Sequence, residues 1–180
     1  MKLSAIDYLA TATVTDADAA KLAEVLDLTA ETGSADTAFL KALFARALDA
    51  VERHTGRVWR PCTMRLTFAL DGETEIPLPV RPVSGVSAVT LNGEPLTGYA
   101  LTAMTGGKAL VLAAPASGEL TVDVAAGYAE PLTAPPAFEA AVLAVAADMY
   151  EHREAQSEVS LTENRTLKFV LAALTIPNVG

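Results

Sequence analysis

Hydrophobic positions recur every three or four residues in two stretches of the chain, and every second residue in the region between them. In the first stretch Phe39, Leu40, Leu43, Phe44, Ala47, Leu48 and Val51 make an apolar stripe, while Lys41, Asp49, Glu52 and Arg53 lie away from it. That spacing predicts an amphipathic helix from about Asp36 to His54. Ser34 and Asp36 are both candidate caps, and Gly56 is placed to take the left-handed conformation just past the last turn. A shorter helix is expected upstream, capped by Thr15 or Asp16, with Asp18 in its first turn and Leu22, Val25 and Leu26 on one face. Residues 1–14 show no period and read as a mobile arm.

The middle of the chain follows the other period. Met64, Leu66, Phe68 and Leu70 alternate with Arg65 and Thr67, as in a strand with one covered face. Asp71-Gly72 reads as a hairpin turn, and Asn92-Gly93 is the strongest hairpin signal in the sequence. Val86–Leu91, Gly98–Thr102, Ala109–Leu112 and Glu119–Val124 are expected to be further short strands. Gly106-Gly107 and Pro115-Ala-Ser-Gly118 separate them. Turn signals at this density suggest a small antiparallel sandwich or barrel. Pro77, Pro79 and Pro82 suit edges, where a missing N–H costs little.

Pro135 and Pro136 then suit the first turn of a second long helix, ending near Arg153. Phe138, Ala141, Val142, Val145, Ala146 and Met149 form one of its faces. Ala140, Leu143, Ala144 and Ala147 make the opposite face almost as apolar. A helix apolar all round is covered on both sides, and in a chain of this size the second cover can be another subunit. The segment after Glu154 is polar until Leu167, Val170, Leu171 and Leu174, which form a last short amphipathic stretch that either folds back onto the domain or docks on a partner protein.

The pattern as a whole predicts an α+β fold: a small helical bundle formed by N- and C-terminal helices, with an inserted antiparallel β-sandwich or barrel-like subdomain. The expected organisation is an N-terminal arm (1–14), a helical core (15–60 and 133–155), a β-rich insert (61–132) and a C-terminal tail (156–180).

Composition narrows the function. The chain has 180 residues, half of them hydrophobic, and a formal charge of −9. Residues 1–60 hold 7 basic and 9 acidic groups, residues 61–133 hold 3 and 7, and residues 134–180 hold 3 and 6. No segment is a basic patch, which argues against holding DNA by phosphate neutralisation. An acidic surface that DNA merely passes remains compatible with this balance. The single cysteine, Cys62, excludes an internal disulfide and fits a reducing compartment. No run of eighteen apolar residues is present, so a soluble protein with no membrane partner is expected.

Candidate chemistry is sparse. Asp148 and His152 lie four apart beside Glu151, a spacing like that of a helical zinc motif. The first histidine of that motif is an aspartate here, and an i,i+4 Asp–His pair is also an ordinary surface interaction. A metal-dependent enzyme using these three residues is one alternative reading, and a β-rich ligand-binding module of a tail is another. His54 at a helix C-terminus fits the helix dipole. Gly106-Gly107-Lys108 lacks phosphate-loop spacing and leads into a strand. Arg57, Trp59 and Arg60 form a packing plug, or an interface if the protein assembles, because Trp and Arg are enriched at contacts.

The order of these pieces resembles the head–tail connector, or adaptor, proteins of long-tailed phages and gene transfer agents. Ala47-Leu-Asp-Ala-Val-Glu-Arg-His-Thr-Gly-Arg57 is similar to the family's helix ending in a T-G-R turn. Ile76-Pro-Leu-Pro-Val-Arg-Pro-Val83 and Val86-Ser-Ala-Val89 are like its proline-bracketed strand and following strand. Val124-Ala-Ala-Gly-Tyr128, Pro135-Pro136 and the helix ending Met149-Tyr-Glu-His-Arg153 complete the match over residues 15–153. The resemblance implies a structural virion protein with no catalytic role and no cofactor. It would sit at the neck of a virion or virus-like particle, between capsid and tail, and be made in the bacterial cytoplasm. It would form a twelvefold ring with copies of itself, bridging the portal protein to a tail-side stopper while DNA passes without specific binding. Leu167, Val170, Leu171 and Leu174 would then dock on the portal. Arg57, Trp59, Leu143 and Ala147 are the candidate ring interface.

Overall fold

A computed structural model describes residues 1–10, 13–28, 34–104, 107–129 and 134–151 together with residue 172. The chain divides into two compact units. One comprises Met1–Ala12 and Gly56–Thr133, the other Thr13–Thr55 and Ala134–Gly180.

The first unit is one antiparallel sheet of six strands: β1 (Lys2–Ala10), β2 (Cys62–Pro77), β3 (Val83–Leu91), β4 (Glu94–Pro95), β5 (Tyr99–Met104) and β6 (Gly107–Ala126). The order is β1-β2-β6-β3-β4, with β5 also paired to β6. The long strand β6 is the spine. Its C-terminal half lies between β2 and β3, and its N-terminal half between β2 and β5. Alternation decides which side faces the core. Met64, Leu66, Phe68 and Leu70 of β2 are buried, as are Leu120, Val122, Val124 and Ala126 of β6. Ile76, Leu78, Val80, Leu110 and Leu112 join them in one apolar cluster. Each fully buried Leu, Val or Phe here contributes about 1.5–3 kcal/mol of transfer free energy.

Two turn signals behave as their chemistry dictates. Asn92 (φ 53) and Gly93 (φ 85) take the left-handed conformations that a two-residue hairpin requires, joining β3 to β4. The Asn92 side chain also accepts a hydrogen bond from the Glu119 N–H at 2.9 Å. Gly107 pairs with Met104 where β5 meets β6, and Gly106 lies outside the described residues. Two other signals were misleading. Asp71-Gly72 does not reverse the chain, since β2 runs through it and stays paired with β6. The expected strands 109–112 and 119–124 are one strand. Between them the register jumps from Val111 opposite Glu75 to Ala116 opposite Glu73. The extra residues bulge out, with Ala113, Ala114 and Pro115 exposed, and a bulge is where a proline is tolerated within a sheet.

The second unit holds three helices among the described residues: α1 (Asp16–Val25), α2 (Ser34–Thr55) and α3 (Pro136–Glu151). Asp18 fixes the start of α1, its carboxylate accepting from the Thr15 N–H at 2.7 Å and the Thr15 hydroxyl at 2.8 Å. Asp27 (φ 52) ends it, with the Asp27 N–H bonded to the Glu24 carbonyl and the Leu28 N–H to the Ala23 carbonyl. Helix α2 buries Leu40, Leu43, Phe44, Ala47 and Val51, and α3 buries Phe138, Ala141, Val142, Val145 and Ala146. Helix α2 packs against both α1 and α3. Ion pairs Lys21–Glu139 and Lys41–Asp16 lie on the surface of this unit. The helical faces differ from expectation at Val25 and Phe39, which are exposed. No helix is long and apolar enough to cross a membrane among the described residues.

The expected fold class is therefore corrected. The dominant element is a six-stranded antiparallel sheet, not a helical bundle carrying a β insert, and its first strand is the N-terminal segment. Within the expected arm, Lys2–Ala10 form a strand that pairs with β2. The physical reason is that β1 has two register shifts, at Leu3/Ala5 and Tyr8/Ala10, which erase the period-two pattern.

Candidate functional site

Arg57 and Trp59 lie at one end of the sheet, where three segments are tied together. The Val58 N–H donates to the Arg81 carbonyl, the Gly127 N–H to the Pro82 carbonyl and the Tyr128 N–H to the Trp59 carbonyl. Gly127 takes φ 104, and a Cβ at this position would stand 2.1 Å from the Arg60 carbonyl oxygen. Arg57 is half-buried and donates to the Tyr128 hydroxyl at 2.6 Å. The Arg60 guanidinium lies 5.2 Å from the half-buried Trp59 ring, a cation–π contact. Arg81 forms a backbone bridge with Arg57 and packs over Gly107, and its Nε is buried without a hydrogen-bond partner among the described residues. Of the three arginines of this region, Arg60 is the one placed over the tryptophan, while Arg57 meets Tyr128 and Arg81 lies over Gly107.

The outward face of the sheet carries a charged row. Asp7, Arg65 and Asp123 are in register across β1, β2 and β6. Arg65 grips Asp123 with both arms of its guanidinium, at 2.7 and 2.8 Å. These hydrogen bonds hold the Asp123 carboxyl below the usual carboxylate range, partial burial opposing them. A depressed folded-state pKa gives stability that is present above the unfolded value and lost as pH falls through the folded one. The Asp123→Asn variant should therefore melt slightly lower than the parent at neutral pH, since the half-exposed arginine lets solvent screen the pair. Thermal melts across pH should show that gap closing below about pH 4.

In the helical unit, Leu143 and Ala147 are half-buried, while Ala140 and Ala144 are exposed. Tyr150, one turn beyond Ala147, is half-buried and meets the exposed Phe39 of α2, with ring centroids 6.2 Å apart. An apolar face thus runs along α3 from Ala140 to Tyr150 and on to α2. The two pairs of candidate ring residues, Arg57 with Trp59 and Leu143 with Ala147, lie on different units.

Asp148 and Glu151 lie on α3, and His152 falls outside the described residues. No group of three or more His, Cys, Asp or Glu is placed to hold a metal ion among the described residues. Cys62 is half-buried at the start of β2, opposite Ala126, and His54 is exposed in the last turn of α2. Leu167, Val170, Leu171 and Leu174 lie outside the described residues. Sequence reasoning missed the apolar side chains of β1, where Leu3, Ile6, Tyr8 and Leu9 are exposed. The available signal was three large apolar residues, Ile6, Tyr8 and Leu9, within four positions of a segment with only two charged residues.

No family model matches the chain, and neither does any curated protein. Solved structures do. A chain in the virion of a native gene transfer agent particle superposes with a TM-score of 0.72 at 21% identity, covering 98% of both chains. One in the neck of an empty gene transfer agent particle, computed with C6 symmetry, gives 0.73 at 20% identity and 98% of both chains. One in the neck of the native particle, computed with C12 symmetry, gives 0.66 at 21% identity, covering 100% of this chain and 98% of the other. At such identities the shared property is the fold, and it extends over essentially the whole of each chain.

Proposed function

We propose that this chain is a structural, non-enzymatic component of the neck of a gene transfer agent or tailed-phage particle. Its role there is that of the adaptor ring beneath the portal, which joins capsid to tail and lets DNA pass. The observation that carries the reading is end-to-end likeness. The chain matches neck chains over 98% or more of its length. The order of sequence pieces from Ala47 to Arg153 supports the same assignment independently of the superposition.

The physical chemistry is coherent with a ring. Twelve copies at −9 each carry a formal charge of about −108. An acidic lumen repels phosphate, so DNA slides through without adhering. Leu143 and Ala147, with the arginine–tryptophan corner at Arg57 and Trp59, supply the contacts between copies. Leu167, Val170, Leu171 and Leu174 dock on the portal, and a tail-side stopper binds the opposite end of the ring. The test is removal. Particles assembled without this chain should hold DNA poorly and carry no tail, as seen by electron microscopy and nuclease protection. Normal tailed particles in its absence would overturn the proposal.

A further inference from the structure

The Asn92-Gly93 turn does more than reverse the chain. Strands β3 and β6 pair as far as Leu91 opposite Leu120, and the Asn92 N–H extends that ladder by donating to the Glu119 carbonyl at 2.7 Å. The main chain then turns away to form β4. The Asn92 side chain does not follow it. Its Oδ1 accepts from the Glu119 N–H at 2.9 Å, and its Nδ2 makes a longer contact of 3.5 Å with the Ser117 carbonyl. A carboxamide carries the same donor and acceptor groups as a peptide. Here it stands in the ladder where the next peptide of β3 would have stood.

Gly118 makes room for it. A Cβ at this position would lie 2.2 Å from Asn92 Oδ1, 2.7 Å from Nδ2 and 2.8 Å from Cγ, and the backbone takes φ 112. The space of a side chain at 118 is thus filled by the carboxamide of residue 92. Asn92, Gly118 and Glu119 together form a latch between the β3–β4 hairpin and β6.

An Asn-Gly pair carries chemistry of its own, and this is the only such pair in the sequence. The Gly93 main-chain nitrogen can attack Asn92 Cγ, because glycine has no side chain to obstruct the approach. The new N–Cγ bond closes a cyclic imide. The Cγ–Nδ2 bond breaks, and Nδ2 leaves as ammonia with the proton of the attacking nitrogen. Water then opens the imide at one carbonyl or the other, giving aspartate or iso-aspartate. Closure requires Cγ to swing on to the Gly93 nitrogen, whereas the latch holds the carboxamide against β6.

We propose that Asn92 is a site of spontaneous deamidation that the native fold holds shut, the seat of its carboxamide on Gly118 and Glu119 being the latch. This inference stands apart from the ring reading. The reaction proceeds from chains in which the hairpin has opened locally. It runs one way. Aspartate at 92 has no Nδ2 hydrogens for the Ser117 carbonyl, and it adds a negative charge to a turn flanked by the exposed Glu94 and Glu119. Iso-aspartate inserts an extra main-chain carbon into a hairpin loop of two residues. Neither product can restore the latch, so a chain that has opened keeps a permanent mark.

The test is peptide mass spectrometry of the full chain aged at mildly alkaline pH, native and unfolded in guanidinium chloride at the same pH and temperature. Aspartate and iso-aspartate at position 92 should accumulate about tenfold or more slowly in the native chain. Gly118→Ala evicts the carboxamide and should bring the native rate towards the unfolded one. Gly72→Ala has a similar φ of 91 with nothing within 4 Å of a Cβ, and should stay close to the native parent. Equal rates in native and unfolded parent would overturn the proposal. So would a folded Gly118→Ala variant that deamidates no faster than Gly72→Ala. Should Gly118→Ala fail to fold, the comparison of native and unfolded parent decides.

Discussion

Exchanging Leu143 and Ala147 together for glutamate should leave a folded protein that no longer enters the neck. Both positions are half-buried on α3, beside the exposed Ala140 and Ala144. They contribute little to the core of their own unit, which is built from Phe138, Ala141, Val142, Val145 and Ala146 on the other face. Glutamate is also a good helix former. The cost to the isolated chain should therefore stay near 1 kcal/mol, within the range of ordinary substitutions. In a subunit contact the account is different. Two carboxylates pressed into an apolar interface without partners lose their hydration, at a cost of several kcal/mol per contact. Each 1.4 kcal/mol is tenfold in affinity, so association between copies should weaken by roughly a thousandfold or more. Circular dichroism would check folding, and the copy number of the variant in purified particles would check assembly. Incorporation at the parent level would remove this face from the ring contact.

The largest effect on stability is expected at Gly127. Alanine there meets two obstacles. The backbone has φ 104, which L-residues other than glycine adopt only with strain, and the new methyl carbon would lie 2.1 Å from the Arg60 carbonyl oxygen. Relief requires the 57–61 segment to shift. That shift breaks the bonds from the Val58 N–H to the Arg81 carbonyl and from the Tyr128 N–H to the Trp59 carbonyl. A loss of about 3 kcal/mol or more follows, lowering the melting temperature by roughly 6–12 °C in a chain of this size. Gly72→Ala is the control. It has a similar φ of 91 but nothing within 4 Å of a Cβ, so it should cost only the backbone term of about 1–2 kcal/mol. Equal losses at the two sites would show that the Arg60 carbonyl exerts no steric control.

Local patterns in the sequence predicted local structure well. The stripe from Leu40 to Val51, the alternation from Met64 to Leu70, the Asn92-Gly93 turn and Gly56 after α2 each depend on neighbours a few residues away, and each takes its expected form. What could not be read depends on distant partners. Strand β1 exists because of β2, more than fifty residues later, and its two bulges hide the alternation that would have announced it. Pro115 and Gly118 looked like a break because their composition is that of a turn. The strand instead runs through them, with Pro115 in a bulge opposite β2 and Gly118 paired with Leu70. The same limit applies to the candidate site. The second apolar face of α3 was visible in the sequence because helical spacing alone reveals it. The pairing of β1 with β2 was not, because no local pattern states which distant strands meet.

The central claim is that copies of this chain form a ring in the neck, and a symmetry-averaged reconstruction of the intact particle tests it most directly. The account predicts a ring of twelve copies between portal and tail, with density that the six-stranded sheet and its three helices fill. The chain found in the capsid shell or the tail tip, or a neck in which it has no density, would contradict it.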